Sequence, residues 1–210
     1  MSGYAIIAEA GNALVRLLRK ELVPDLIRNG ADIGLASPAD RGDMTLCVHL
    51  YDVSESTTYR VSGMISDGAE RQKFPPVYLT LSYMVTVFSA GDVKFRSEEE
   101  QRILGKVVQV FRDYPILNLD TMEFGMGGGE EQVRIEMLSV DADEKTKLWA
   151  FPNLAVKPSL FYRMDPVALE SAKTKSVKRV QEMEFQRDDV EFQRNDTMNP
   201  FVKFFRRNRS

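Results

Sequence analysis

Residues 77–88 constrain the fold more than any other stretch. They carry no charged side chain. Val77, Leu79, Leu81, Tyr83, Val85 and Val87 alternate with Tyr78, Thr80, Met84, Thr86 and Phe88. β-Branched and aromatic residues therefore stand on both faces of an extended chain. A strand that is apolar on both sides belongs inside a sheet covered on both sides. The rest of the sequence must supply two covers and the neighbouring strands.

Two long helices are predicted. In the first, Ile7, Ala10, Leu14, Leu17 and Leu18 recur at three- and four-residue steps and share one face. Pro24 stops it, because proline cannot donate to the helical ladder. The second is expected to start at Ser97, where Ser97 and Glu100 have capping-box spacing and Glu98, Glu99 and Glu100 suit the positive end of the helix dipole. Ile103, Val107, Val110, Phe111 and Tyr114 form its apolar stripe, and Pro115 ends it. A short helix is predicted over 143–149.

Strands are predicted at 44–53, 132–140, 159–164 and 177–185. In the first, Leu46, Val48 and Leu50 oppose Cys47, His49 and Tyr51, giving one buried and one mixed face. In the second, Val133, Ile135 and Met137 share a face. Residues 29–43 and 54–76 read as loop, and 125–129 as a flexible glycine turn. Adjacent strands with short links predict an α+β fold, a mostly antiparallel sheet packed by helices.

Composition narrows the function. With 28 Lys and Arg against 31 Asp and Glu, the net charge is −3, whereas a general nucleic-acid binder is normally basic. The single Cys excludes an internal disulfide, and Cys and His alone cannot supply a four-ligand zinc site. No apolar run is long enough to span a membrane as a helix. The charges among the first twenty-two residues do not follow a signal-peptide order, so assembly in the cytoplasm is expected.

Local motifs for catalysis fail on chemistry. Cys47 and His49 face the same side of a strand but lie about 6.5–7 Å apart along it, too far for a direct nucleophile–base bond. Half-buried strand positions explain both. The glycines at 125–129 are followed by Glu130 and Glu131, not by the Lys a phosphate loop needs. Trp149 is expected in the core or at a subunit interface. No catalytic, metal or cofactor-binding residue is proposed, and no enzyme is expected.

The composition changes after Phe185. Glu184-Phe185-Gln186-Arg187-Asp188 nearly repeats as Glu191-Phe192-Gln193-Arg194-Asn195, seven residues on. The last ten residues carry Lys203, Arg206, Arg207 and Arg209 with Phe201, Phe204 and Phe205 and no acid. Their +4 leaves −7 on the rest of the chain. A folded body over 1–187 and an arm over 188–210 are expected. The arm has three readings: a solvated tail, a tether to nucleic acid or a membrane surface, or a protein-docking peptide anchored by its phenylalanines.

A set of phrases in fixed order gives the sequence a family likeness. They are Tyr4-Ala-Ile-Ile-Ala-Glu-Ala-Gly-Asn-Ala-Leu, Ser37-Pro-Ala-Asp-Arg-Gly-Asp, Leu50-Tyr-Asp-Val, the segment 71–84 with its Phe74-Pro75-Pro76, Asp92-Val-Lys-Phe-Arg, the helix residues 102–110 and Pro158-Ser-Leu-Phe-Tyr-Arg. Together they resemble the cap, or tail-terminator, family of phage-tail-like contractile injection systems. The resemblance covers about residues 4–170. It implies a small α+β domain without cofactor and a ring, six-fold in the family. That ring would end tube and sheath polymerisation, seal the inner tube and anchor the sheath. The implied partners are further copies of the chain, the inner-tube protein and the sheath protein, with no nucleic acid and no membrane insertion. On that reading Phe201, Lys203, Phe204, Phe205, Arg206, Arg207 and Arg209 dock on the sheath by adding a strand. The alternative is a nucleic-acid or membrane-surface adaptor working through the same arm.

Overall fold

The computed structural model describes residues 3–66, 71–118, 123–125 (main chain only) and 132–176. All of them belong to the first of the chain's two units, Met1–Val177; the second is Lys178–Ser210. The strand expected at 177–185, the seven-residue repeat, the boundary at 187 and the aromatic arm all lie outside the described residues. So does the glycine turn except for Gly125.

The helices are α1 (Ile6–Leu22), α2 (Val93–Asp113) and α3 (Ala142–Leu148). The strands are β1 (Ile33–Leu35), β2 (Leu46–Glu55), β3 (Ile65–Ser66), β4 (Arg71–Lys73), β5 (Val77–Val87), β6 (Ile116–Asn118), β7 (Glu123–Gly125), β8 (Val133–Met137), β9 (Ser159–Leu169) and β10 (Thr174–Ser176). Seven strands form a curled sheet in the order β1-β2-β5-β9-β8-β6-β7. Every pair is antiparallel except β1 with β2. The α+β expectation holds.

β5 lies between β2 and β9 and is buried on both faces, as its sequence requires. Leu79, Leu81, Tyr83, Val85 and Val87 face α1 and α2 in the larger core, with Leu14, Leu18, Ile103, Val107 and Phe111. Met84 and Phe88 face a smaller core with Cys47, Phe161, Val140 and Trp149. Trp149 is thus a core residue, and its indole N–H donates to Ser159 Oγ at 3.1 Å. The Ser159 hydroxyl in turn donates to the Lys157 carbonyl and lies 3.1 Å from Thr86 Oγ1. Burial of each large aliphatic side chain contributes about 1.5–3 kcal/mol, so the two-sided strand anchors both cores.

Several local expectations are corrected. The second helix begins four residues before Ser97. Asp92 is its N-cap, its carboxylate accepting from the Lys94 N–H at 2.9 Å. Ser97 therefore sits in the helix body. Glu99 and Glu100 turn instead to the chain after β5: Glu100 accepts from the Ser89 N–H and pairs with Lys157, and Glu99 accepts from the Ser89 hydroxyl. β9 runs on to Leu169, through Pro166, past its expected end at 164. Met137 is exposed, unlike Val133 and Ile135 on the same strand. The loop expected at 29–43 contains β1, and that at 54–76 contains β3 and β4.

β3, β4 and β10 make a second sheet in the order β10-β4-β3. β4 leads into β5, and β10 follows β9, so this sheet prolongs the β5–β9 pair. Lys73 and Glu170 form an ion pair where the two sheets meet. None of its described strand residues is buried.

Candidate interaction surface

The first helix, α1, forms because its apolar residues share one stripe, and Ala10, Ala13, Leu14, Leu17 and Leu18 are buried on it. Its C-terminal turn places Arg19 against β1. The guanidinium donates to the Ile33 carbonyl at 3.1 Å from Nε and 2.6 Å from Nη2. Arg19 thereby occupies an acceptor on the edge strand of the sheet.

The next strand is left differently. β5 pairs with β2 from Leu46 to Glu55, but β1 covers the other side only over Leu46, Cys47 and Val48. The Ala36 N–H adds one more bond, to the Val48 carbonyl. Among the described residues nothing pairs with the outer main chain of residues 49–55. A β-bulge between Leu50 and Asp52 bends the strand midway along this stretch.

At the start of that edge lies an apolar groove of about 430 Å³. Tyr4, Ile7 and Gly11 of the α1 region form one wall, and Leu35, His49 and Leu50 the other. Tyr83 reaches the groove from β5. It is 1% exposed, and among the described residues its hydroxyl has no hydrogen-bond partner. Burial pushes the ionisation of this phenol far above the ordinary tyrosine range. A Cβ added at Gly11 would lie 3.0 Å from the Leu35 side chain, so the small residue keeps the groove open.

The sequence's candidate residues separate cleanly here. Cys47 is fully buried in the smaller core, and burial raises its thiol to about 11 against the opposing pull of Arg41. His49 is half-buried, edge-on to Phe151 at 6.0 Å between ring centroids, and burial lowers its basicity. Both sit in packed surroundings. Residues 201–209 lie outside the described residues. Sequence reasoning missed the groove and the open edge of β2 altogether. No local signal gave them, because the three-residue strand Ile33-Gly34-Leu35 that leaves the ten-residue β2 uncovered carries no period of its own.

Another concave surface lies on the far side of the sheet, where Arg134, Glu136, Arg163 and Asp165 alternate with the buried residues of β8 and β9. Arg163 donates to Glu136 at 2.8 Å and Thr80 to Asp165 at 2.6 Å. Glu136, Arg163 and Asp165 thus find their partners within the sheet.

Residues 9–182 match the family described as the Pvc16 N-terminal domain. The chain belongs to that family. Two solved structures share the fold of this Pvc16 N-terminal domain. One is the PVC sheath/tube terminator, in the extended state, of an extracellular contractile injection system, with a TM-score of 0.62, 17% identity, and 85% of this chain and 62% of that chain covered. The other is the anti-feeding prophage cap, a tube-terminating cap, with a TM-score of 0.51, 17% identity, and 83% and 59% covered. At these identities the likeness is one of fold. The Pvc16 N-terminal domain chain spans less than two thirds of the length of these neighbours. No curated protein matches it in sequence. The family likeness read from the ordered sequence phrases is thus the family the chain belongs to.

Proposed function

We propose that this chain is a structural, non-catalytic subunit of the cap that terminates the tube of a contractile injection system. The observation that carries the reading is a conjunction: a family match across residues 9–182 and a fold shared with two terminators. The surface chemistry supports it. A growing protein polymer ends in unsatisfied groups, including strand edges. A terminator must complement that end while offering the next subunit nothing to continue on. An open edge beside an apolar groove is suited to the first task.

In this reading copies of the chain close into a six-membered ring by heterologous contacts, one patch meeting another around the axis. The body makes the ring and inner-tube contacts. The ring also stops sheath growth and anchors the sheath. Phe201, Phe204 and Phe205 anchor the arm on the sheath, with Lys203, Arg206, Arg207 and Arg209 steering it to acidic surface. Assembly takes place in the cytoplasm, and the chain then stays with the particle. Among the described residues no helix is long and apolar enough to cross a membrane.

Seeded growth tests the reading. Inner tubes elongating from preformed seeds should stop at short, uniform lengths when the chain is added well below the concentration of tube subunit. Unchanged length distributions would contradict a terminator.

A further inference from the structure

We infer that the outer edge of β2, from His49 to Glu55, together with the groove beside it, receives an extended segment of the inner-tube subunit, one with an apolar anchor followed by basic residues. The inference rests on the cap reading, in which the body, not the arm, makes the tube contact.

Four observations support the assignment. First, the edge is unpaired among the described residues, whereas the neighbouring edge of β1 has a carbonyl taken by Arg19. A row of outward N–H and C=O groups is satisfied best by another strand. Second, the groove at its start is apolar and large enough for an aromatic or branched side chain. Beneath it lies the buried Tyr83 hydroxyl, which has no partner among the described residues. Third, past the bulge the edge carries Asp52 and Glu55; Glu55 shares an exposed ion pair with Arg60 at 3.9 Å, and Asp52 has no ion-pair partner among the described residues, so residues 44–60 keep a net negative charge. The complement of that charge is a basic strand. Val53, 43% exposed, shares a face with Glu55 and is a cross-strand contact for an apolar side chain. Fourth, the other open edges among the described residues, on β1, β3, β7, β10 and the end of β9 past Asp165, are two to four residues long. They are too short to cover β2, and the β2 edge of a second copy, paired antiparallel over 49–55, would set Asp52 opposite Asp52, so a second copy is disfavoured as the occupant.

The bulge has a role in this arrangement. It divides the edge into a groove side, at His49 and Leu50, and an acidic side, from Asp52 to Glu55. An incoming segment that is apolar throughout loses the second contact, and one that is basic throughout loses the first. The edge therefore selects a segment of mixed composition.

The test uses the full chain with a benzophenone amino acid at Val53, assembled into particles and irradiated. The same group at Met137, 56% exposed on β8, is the control. The expected result is a crosslink from Val53 to the inner-tube subunit, mapping to a segment of the stated composition, and none from Met137. The Asp52→Lys/Glu55→Lys double variant should lower the Val53 crosslink about tenfold while its circular dichroism stays unchanged. With the chain present at particle ends, several results would overturn the inference and leave the cap reading standing: no Val53 crosslink, a crosslink to sheath, or a crosslink to residues 201–209 of another copy. If the chain is absent from particle ends, both fall together.

Discussion

At the scale of single residues, burial accounts for the chemistry of the two side chains that look most reactive in the sequence. Cys47 and His49 alternate on a strand in a way that periodicity reads correctly, but periodicity does not reveal that α3 and Trp149 cover their face. The Cys47 thiol, raised to about 11 and fully buried, should resist a thiol reagent at pH 8 in the native protein and react at once in denaturant. Native reactivity at the unfolded rate would contradict the packing. His49 makes a pH prediction. Its folded pKa lies below its ordinary value near 6.5, so the unfolded chain binds the extra proton first. Its contribution is therefore flat above pH 7 and is lost as pH falls from about 6.5 towards the folded pKa. Urea midpoints should fall over that window, and His49→Phe should remove the difference. Deep in the larger core, Leu18→Ala should cost about 2–5 kcal/mol by urea denaturation, because Leu18 is fully buried against the sheet.

At the scale of elements, sequence pattern and tertiary context divide the work. α1 and the stripe of α2 were legible because a 3.6-residue apolar period is a strong local signal, and β5 because both its alternating faces are apolar. The start of α2 was not legible. Ser97, with Glu three residues on, imitates a cap, yet Asp92 is free to cap earlier and nothing at 93–96 breaks a helix. The two positions give a direct comparison. Asp92→Ala should cost about 1 kcal/mol, and Ser97→Ala should stay within about 0.5 kcal/mol. The reverse order in thermal or urea unfolding would restore the capping box. β1, β3, β4 and β6 could not be read because two- and three-residue strands carry no period. They exist through their partners: β1 by pairing with β2 and by the Arg19 bonds to Ile33, β4 as the continuation of β5. Pro166 hid the second half of β9, although that half pairs with the start of β5, Val77 to Leu79. The groove was hidden for the same reason as β1, since it exists only where a short strand leaves a long one.

At the scale of the whole molecule, the architecture is a two-sided sheet whose faces are used internally and whose edges and extensions are left for contacts. Among the described residues α1 and α2 cover one face and α3 with Trp149 covers part of the other, while the edge of β2 and the sheet of β3, β4 and β10 stay uncovered. That distribution suits an assembly component, and it shares its fold with terminators that end tubes. The family was legible in the sequence because its phrases keep their order from the first helix to β9. The contact surfaces were not, because strand edges are a property of topology. The most direct test of the central claim is electron microscopy of tube–sheath particles grown without the chain, then mixed with gold-labelled full-length protein. The account predicts gold at one end only, on a ring-shaped density. Gold spread along the particle, or absent from it, would contradict the account.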